Sequence, residues 1–382
     1  MDQRTPPDLI RDAEAAARAV SLSAALRAGA EDCDDGFPRA DVADLARLGL
    51  LAAPVPAAMG GAGLGAEPGA GTLSEVLRLI GYGSLALGRL YEGHVNALQL
   101  IAQHGAAGQR ARLFADARAG HLFGVWNTEP AGAGLALEAD AESLHLSGAK
   151  SFASGAGFVT RALVTARCPQ GSGTLMLVVP LEPGTRADLS AWRAHGMRAS
   201  ATGTLNFGGI TLGPEAVLGD PDAYFGQPAF SGGAWRFTAV QLGGIEAVFD
   251  VWRAHLVRTG RGTDPHQLAR LGEGAIAVEG ARHWVTRAAA VAAGGTVPPA
   301  RVVAFVNLAR LAVEKAGLDV LQLAQRSVGL QGFLRGHPLE QRARDLATYL
   351  RQPGPDRALT SAAEEILAAG DRVSDLWDGG AP

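Results

Sequence analysis

The hydrophobic periodicity of this chain changes twice, and no other feature constrains its fold as much. From about residue 8 to 120 the sequence is rich in Ala and Leu at helical spacing. Leu45, Leu48 and Leu51 in PRADVADLARLGLLA are one instance. From about 121 to 220 the runs shorten to HLFGVW, SLHLSGA, ALVTAR, TLMLVVPL and TLNFGGITL, separated by Gly, Pro, Asp and Ser at strand-and-turn spacing. After Pro228 the helical pattern returns and predicts long helices over 233–258, 266–293, 299–328 and 338–350, punctuated by Pro298-Pro299 and Pro353-Gly354-Pro355. The order predicts an α+β chain in three parts: an N-terminal helical domain over 1–120, a middle antiparallel β domain over 121–225, and a C-terminal four-helix bundle domain over 226–382. The last helices are too long for isolated surface helices, which predicts bundle packing shared with other subunits.

Within the first part, Pro38 suits the opening turn of one helix and Gly49 its end. The glycine-rich GGAGLGAEPGAG (60–71) breaks the chain, and helices are expected over 72–80, 84–104 and 109–119. GGAGLG is no dinucleotide fingerprint, because no strand precedes it and no βαβ unit follows. No P-loop, HExxH or GxSxG is present, and the nine histidines show no metal-ligand clustering, so no metal site is expected. The 382 residues are 47% hydrophobic and 19% charged, enough for a sizeable core. A net charge of −4 without any basic run argues against nucleic acid. Two cysteines, Cys33 and Cys168, give no disulfide framework. The first residues, interrupted by Pro6-Pro7, do not read as a signal peptide, and no apolar run reaches the roughly 18 residues of a membrane span. A cytoplasmic protein without a membrane partner is expected.

Four separated segments carry chemical character. Trp126-Asn127-Thr128-Glu129-Pro130-Ala131-Gly132 leaves a strand for a loop of small residues, where backbone N–H groups can approach a ligand. In Gly148-Ala149-Lys150-Ser151-Phe152-Ala153-Ser154-Gly155, an aromatic and a hydroxyl two apart point the same way if the stretch is extended, which suits a flat heteroaromatic cofactor. Gly196-Met197-Arg198-Ala199-Ser200-Ala201-Thr202 precedes a strand. Gly329-Leu330-Gln331-Gly332-Phe333 is followed by Arg344-Asp345.

In this order and at these separations the segments resemble the acyl-CoA dehydrogenase superfamily, over nearly the whole chain from about Gly36 to Leu367. Thr128–Gly132 looks like the family's TEPxxG loop. Gly148–Gly155 looks like its GxKxWITN stretch, with Phe152 for the tryptophan and Ser154 for the threonine. Gly329–Phe333 and Arg344-Asp345 are similar to its GGxGF turn and RD pair. The resemblance implies FAD between the β domain and the C-terminal helices, in a homodimer or homotetramer whose neighbouring subunit completes the site. Thr128 and Ser154 would hydrogen-bond the flavin, Phe152 would pack beside it, and Trp126 would line the same wall. Arg258 and the Gln331-Gly332 turn would contact the diphosphate of a neighbour's FAD. Arg258-Thr259-Gly260-Arg261-Gly262 lacks the aromatic usual there.

The family's reaction implies an acyl thioester substrate, a carboxylate that removes the α proton, hydride transfer to flavin N5, and electrons passed to an electron-transfer flavoprotein. Here the resemblance breaks. Pro353 stands where the family's glutamate usually is, and the other position, within Gly233-Ala234-Trp235-Arg236-Phe237, offers no carboxylate. Glu92 and His94 in Tyr91-Glu92-Gly93-His94 are the remaining candidates, on a helix resembling one that lines the family's substrate cavity. Being two apart, they do not share one helical face. Asp356 is a further candidate. The resemblance therefore implies an FAD-dependent oxidoreductase that oxidises an acyl thioester, with a flavin monooxygenase of the same fold, or a flavin-binding member without dehydrogenase activity, as the alternatives.

Overall fold

A computed structural model describes residues 6–140, 142–168 and 173–378, with side chains from residue 12. Five helices come first: α1 (Pro6–Glu31), α2 (Arg39–Arg47), α3 (Ala70–Gly83), α4 (Leu85–His104) and α5 (Ala107–Arg118). Strands follow as β1 (Phe123–Trp126), β2 (Ala136–Ala139), β3 (Leu144–Ser147), β4 (Ala149–Ala153), β5 (Arg161–Arg167), β6 (Thr174–Pro180), β7 (Ala187–Asp188), β8 (Gly203–Asn206), β9 (Thr211–Leu212) and β10 (Val217–Leu218). The chain ends in α6 (Ala229–Gly232), α7 (Trp235–Arg258), α8 (Pro265–Ala293), α9 (Pro299–Val328), α10 (Pro338–Tyr349) and α11 (Pro355–Ala368). The helix–sheet–helix order is thus as the periodicity implies. The long C-terminal helices begin where proline and a cap place them: Asp264 accepts from the His266 and Gln267 amides ahead of α8, and Pro265 and Pro299 occupy first-turn positions.

The β region departs from a purely antiparallel expectation. One sheet runs β10-β6-β5-β2-β3-β9, and β1 also pairs with β5, in parallel, with Phe123 opposite Arg161 and Trp126 opposite Val164. The reason is connectivity: β1 arrives from α5, and the chain passes through β2, β3 and β4 before returning as β5, so no tight hairpin forces reversal. A second sheet, β4-β8-β7, holds the Gly148–Gly155 stretch. The C-terminal bundle is also larger than four helices, because α11 packs on α9. The helical pattern that persists past Pro353-Gly354-Pro355 is α11, since proline at a first helical turn starts a helix as readily as it ends one.

Two contacts fix the site's frame. Helices α3 and α7 cross at glycines: a Cβ on Gly81 would meet the Val240 carbonyl, and one on Gly243 the Arg78 carbonyl. Beside the crossing, buried Glu246 of α7 pairs with Arg78 of α3 and with Arg282 of α8 (2.5 Å). The Arg344-Asp345 pair of α10 clamps the β region. The Asp345 carboxylate accepts from the Met197 amide (2.6 Å), while Arg344 pairs with Asp32 (2.6 Å) and donates to the His195 carbonyl (2.9 Å).

Candidate functional site

Helix α4 sets the site because it is enclosed on nearly all sides, with β1 against one flank and α7 against another. An internal helix buries side chains all round, so Glu92 and His94 are both buried although they face apart. His94 faces the first helices and β1. One ring nitrogen, Nε2, lies 2.8 Å from the Leu51 carbonyl and so carries the proton; the other, Nδ1, accepts from the Phe123 amide (3.1 Å). Burial lowers its pKa to about 4. Both nitrogens are spent on backbone, and the ring joins no cavity with Glu92, so the structure does not place His94 as a proton acceptor at the site.

Glu92 faces α7. Arg89, one turn earlier, pairs with one carboxylate oxygen, and Asn96, one turn later, donates to the other. Asn96 in turn accepts from Arg236 Nε (2.9 Å) at the start of α7. Glu92 is therefore a charged carboxylate held on both oxygens. It opens on a cavity of about 430 Å³ between α4, α7 and α9, lined also by Trp235, Phe237, Arg310, Gln352 and Pro353. The cavity ends at Pro353, whose carbonyl accepts from Arg310 (2.6 Å). Asp356 lies away from it, exposed in the first turn of α11.

Next to this cavity, across Val125, which lines both, the wall expected for a flat ring is assembled, with one change. Trp126 is buried, and its indole N–H donates to the Ser154 carbonyl (3.0 Å). Ser154 Oγ accepts from Thr202 Oγ1 (3.2 Å), which lies 2.8 Å from Ser200 Oγ, so the Ser154 proton stays free to donate outward. Phe152 does not share a regular alternation with Ser154. The β4–β8 register shifts between Lys150 and Ala153, and Phe152 takes φ +51°, strained for a bulky residue. Its ring is turned out, 66% exposed, with its edge to Trp192. Thr128 is exposed, and its hydroxyl has no partner among the described residues. Its loop is pinned from beneath: buried Lys150 donates to Glu129 (2.8 Å), the Asn127 carbonyl (3.0 Å) and Thr165 (3.0 Å). Burial pushes the Lys150 pKa down, and the Glu129 carboxylate opposes that shift.

A small cleft touches Arg89, Gly93, Val125, Trp126 and Ser154. Gly93 lies inside the protein, yet a Cβ built on it would meet nothing within 4 Å. The absence of a side chain there keeps open a slot between α4 and the Trp126–Ser154 wall. Free hydroxyls at Thr128 and Ser154 and an exposed ring at Phe152 suit a flat heteroaromatic group lying across the mouth of this slot, which itself holds only about 10 Å³.

The third set of expected residues lies elsewhere, where the end of α7 meets the end of α9. Arg258 is exposed, 3.3 Å from His255 Nδ1, with no carboxylate partner among the described residues. His255 stands against His337 (ring centroids 5.5 Å apart), and Arg261 donates to the Ser327 carbonyl (2.9 Å). Gln331 is exposed and Gly332 buried in the turn after α9, where Leu330 and Phe333 also face outward. Sequence reading passed over Arg89, Asn96, Arg236 and Arg310. The first two were detectable as residues one turn either side of Glu92; Arg236 stood in a segment searched only for a carboxylate. No cluster of His, Cys, Asp or Glu among the described residues could hold a metal, and no helix among them is long and apolar enough to cross a membrane.

Residues 12–121 match the family described as acyl-CoA dehydrogenase, N-terminal domain, and residues 227–360 match acyl-CoA dehydrogenase, C-terminal domain. The chain belongs to the acyl-CoA dehydrogenase superfamily. It is 27% identical over 359 residues to the short-chain specific acyl-CoA dehydrogenase of Bos taurus mitochondria, covering 89% of this chain and 84% of that one. It is 30% identical over 190 residues to a dibenzothiophene monooxygenase of Mycolicibacterium goodii, covering 47% of this chain and 45% of that one. The crystal structure of FMN-bound TdsC from Paenibacillus sp. A11-2 superposes with a TM-score of 0.79 at 19% identity, over 97% of this chain and all of the other, a likeness of fold.

Proposed function

We propose that this chain is a flavin-dependent monooxygenase built on the acyl-CoA dehydrogenase fold. One observation carries the choice between the two chemistries its relatives perform. The cavity beside the wall holds no carboxylate free to take a proton, since Pro353 stands at the usual position and Glu92 is held on both oxygens by Arg89 and Asn96. Removal of an α proton from a thioester needs such a base within hydrogen-bond reach; oxygen transfer does not. The similarity to dibenzothiophene monooxygenase supports the same choice.

The wall of Trp126, Thr128, Phe152 and Ser154, with the slot over Gly93, would hold the flavin. A reduced flavin would supply the electrons that activate dioxygen. The chain's own residues do the rest. Ser154 donates a hydrogen bond to the ring, Trp126 and Val125 shield it from water, and the cavity of Trp235 and Phe237 positions the substrate next to it. FAD is the form we assign. Arg258, without a carboxylate partner, and the Gln331-Gly332 turn offer a second copy's diphosphate an arginine fork and a close backbone. Exposed Leu330, Phe333 and Leu334 on that turn, with Leu268 and Ile276 on α8, support a homo-oligomer.

A second reading is favoured by the full-length similarity to short-chain acyl-CoA dehydrogenases. It is an acyl thioester dehydrogenase with Glu92 as base, released from Arg89 on substrate binding, and with an electron-transfer flavoprotein as acceptor. One experiment separates the two. Flavin-loaded protein is titrated anaerobically with acyl-CoA thioesters of graded length, then given reduced flavin and air. Oxygen uptake that exceeds the protein-free control, without anaerobic bleaching, supports the monooxygenase. Anaerobic bleaching by any thioester overturns it.

A further inference from the structure

Arg236 lines the same cavity with most of its hydrogen-bonding capacity unspent. Its Nε donates to Asn96, while its two terminal nitrogens make no hydrogen bond among the described residues and no carboxylate pairs with it. The nearest acid is Glu92, already taken by Arg89. Burial lowers the Arg236 pKa to about 10, which still leaves the guanidinium charged at neutral pH. Arg310 adds a second cation to the lining, with one nitrogen on the Pro353 carbonyl and its fork against the Phe237 ring (5.6 Å). In the lining, Arg236 and Arg310 thus outnumber Glu92. An enclosed charge is costly unless paired, and among the described residues Arg236 meets only the Asn96 amide oxygen, the Trp235 ring (5.5 Å) and, without an ion-pair contact, Glu92.

We propose that the substrate of this cavity carries a carboxylate, which pairs with the free fork of Arg236, and an apolar body that lies on Trp235 and Phe237. A planar anion matches the fork with two parallel hydrogen bonds. Asn96 aims that fork, since it joins Arg236 Nε to the fixed Glu92–Arg89 pair. The volume suits a small organic acid rather than a polymer or a nucleotide. The assignment rests on the cavity's being the substrate site of the proposed monooxygenase.

The test is calorimetry on the flavin-loaded protein at pH 7 and low salt, with 3-phenylpropanoate and its primary amide as probes. The acid is expected to bind at least about ten-fold more tightly than the amide. Arg236→Met is expected to abolish that preference while flavin content and amide binding stay as in the wild type; Arg236→Lys should keep part of it. Equal binding of acid and amide by the wild-type protein, or an undiminished preference in Arg236→Met, overturns the proposal. The wild-type comparison decides even if a variant fails to fold. Because the readout is heat of binding, its failure is distinct from failure of the oxygen-uptake experiment.

Discussion

Replacing Gly93 by leucine separates stability from flavin binding. Gly93 lies in the interior of α4 with ordinary helical backbone, and a Cβ there would meet no atom within 4 Å. Leucine favours a helix interior over glycine by roughly 0.7 kcal/mol. The rest of its side chain exceeds a cleft of about 10 Å³ and projects from it onto the Trp126–Ser154 wall. Gly93→Leu is therefore expected to leave the stability of the flavin-free protein within about 1 kcal/mol of wild type, read as a nearly unchanged urea midpoint and slope. The same side chain fills the slot in front of the Trp126–Ser154 wall. Flavin affinity is expected to fall at least about 100-fold, which corresponds to roughly 2.7 kcal/mol, read from visible absorbance retained after gel filtration. A variant that keeps its flavin at wild-type affinity would refute the placement of the ring. A variant destabilised by more than about 3 kcal/mol would refute the open slot itself.

Three further outcomes follow from the same geometry. His94 stays neutral in the fold with a pKa near 4, below the value of about 6.5 in an unfolded chain. Its contribution is complete above about pH 6.5 and lost as pH falls toward 4, a slope worth roughly 3 kcal/mol in all; His94→Gln should flatten that slope in pH-dependent urea unfolding. Turnover in any folded His94→Gln protein should persist, and its abolition would return His94 to the site. Lys150→Met strips Glu129, Thr165 and the Asn127 carbonyl of their shared donor; a loss of about 2–3 kcal/mol, reduced because Glu129 is partly exposed, is expected with faster proteolysis of the Thr128 loop. Glu246→Ala leaves Arg78 and Arg282 facing each other at the α3–α7–α8 junction; a cost of about 3 kcal/mol in thermal or urea unfolding is expected, and a change under 1 kcal/mol would deny the network a structural role.

Much of the fold was legible because its signals are local. Helices α8, α9 and α10 begin at Pro265, Pro299 and Pro338, and α4 begins one residue after Ser84, whose hydroxyl accepts from the Leu87 amide. Helix α11 has a helical pattern without legible bounds, because Pro355 reads as a stop and a start alike. The parallel pairing of β1 with β5 is a long-range choice that strand-and-turn spacing does not encode. At the site, Trp126 and Ser154 were legible as residue types in order. The outward turn of Phe152 was not, since it depends on a bulge between β4 and β8. The separate destinations of Glu92 and His94 follow from α4 being enclosed, a property of its neighbours rather than of its own residues. Arg236 was overlooked for a related reason: an unpaired arginine becomes informative only once its surroundings prove free of carboxylates.

The structure of the protein crystallised with flavin is the most direct test. The expected result is a tricyclic ring across the mouth of the slot at Gly93, within hydrogen-bond distance of Ser154 Oγ and against Trp126, with the 430 Å³ cavity opening beside it. A ring bound anywhere else, or a protein that stays colourless at saturating FAD and FMN with the slot closed by its own side chains, would contradict it.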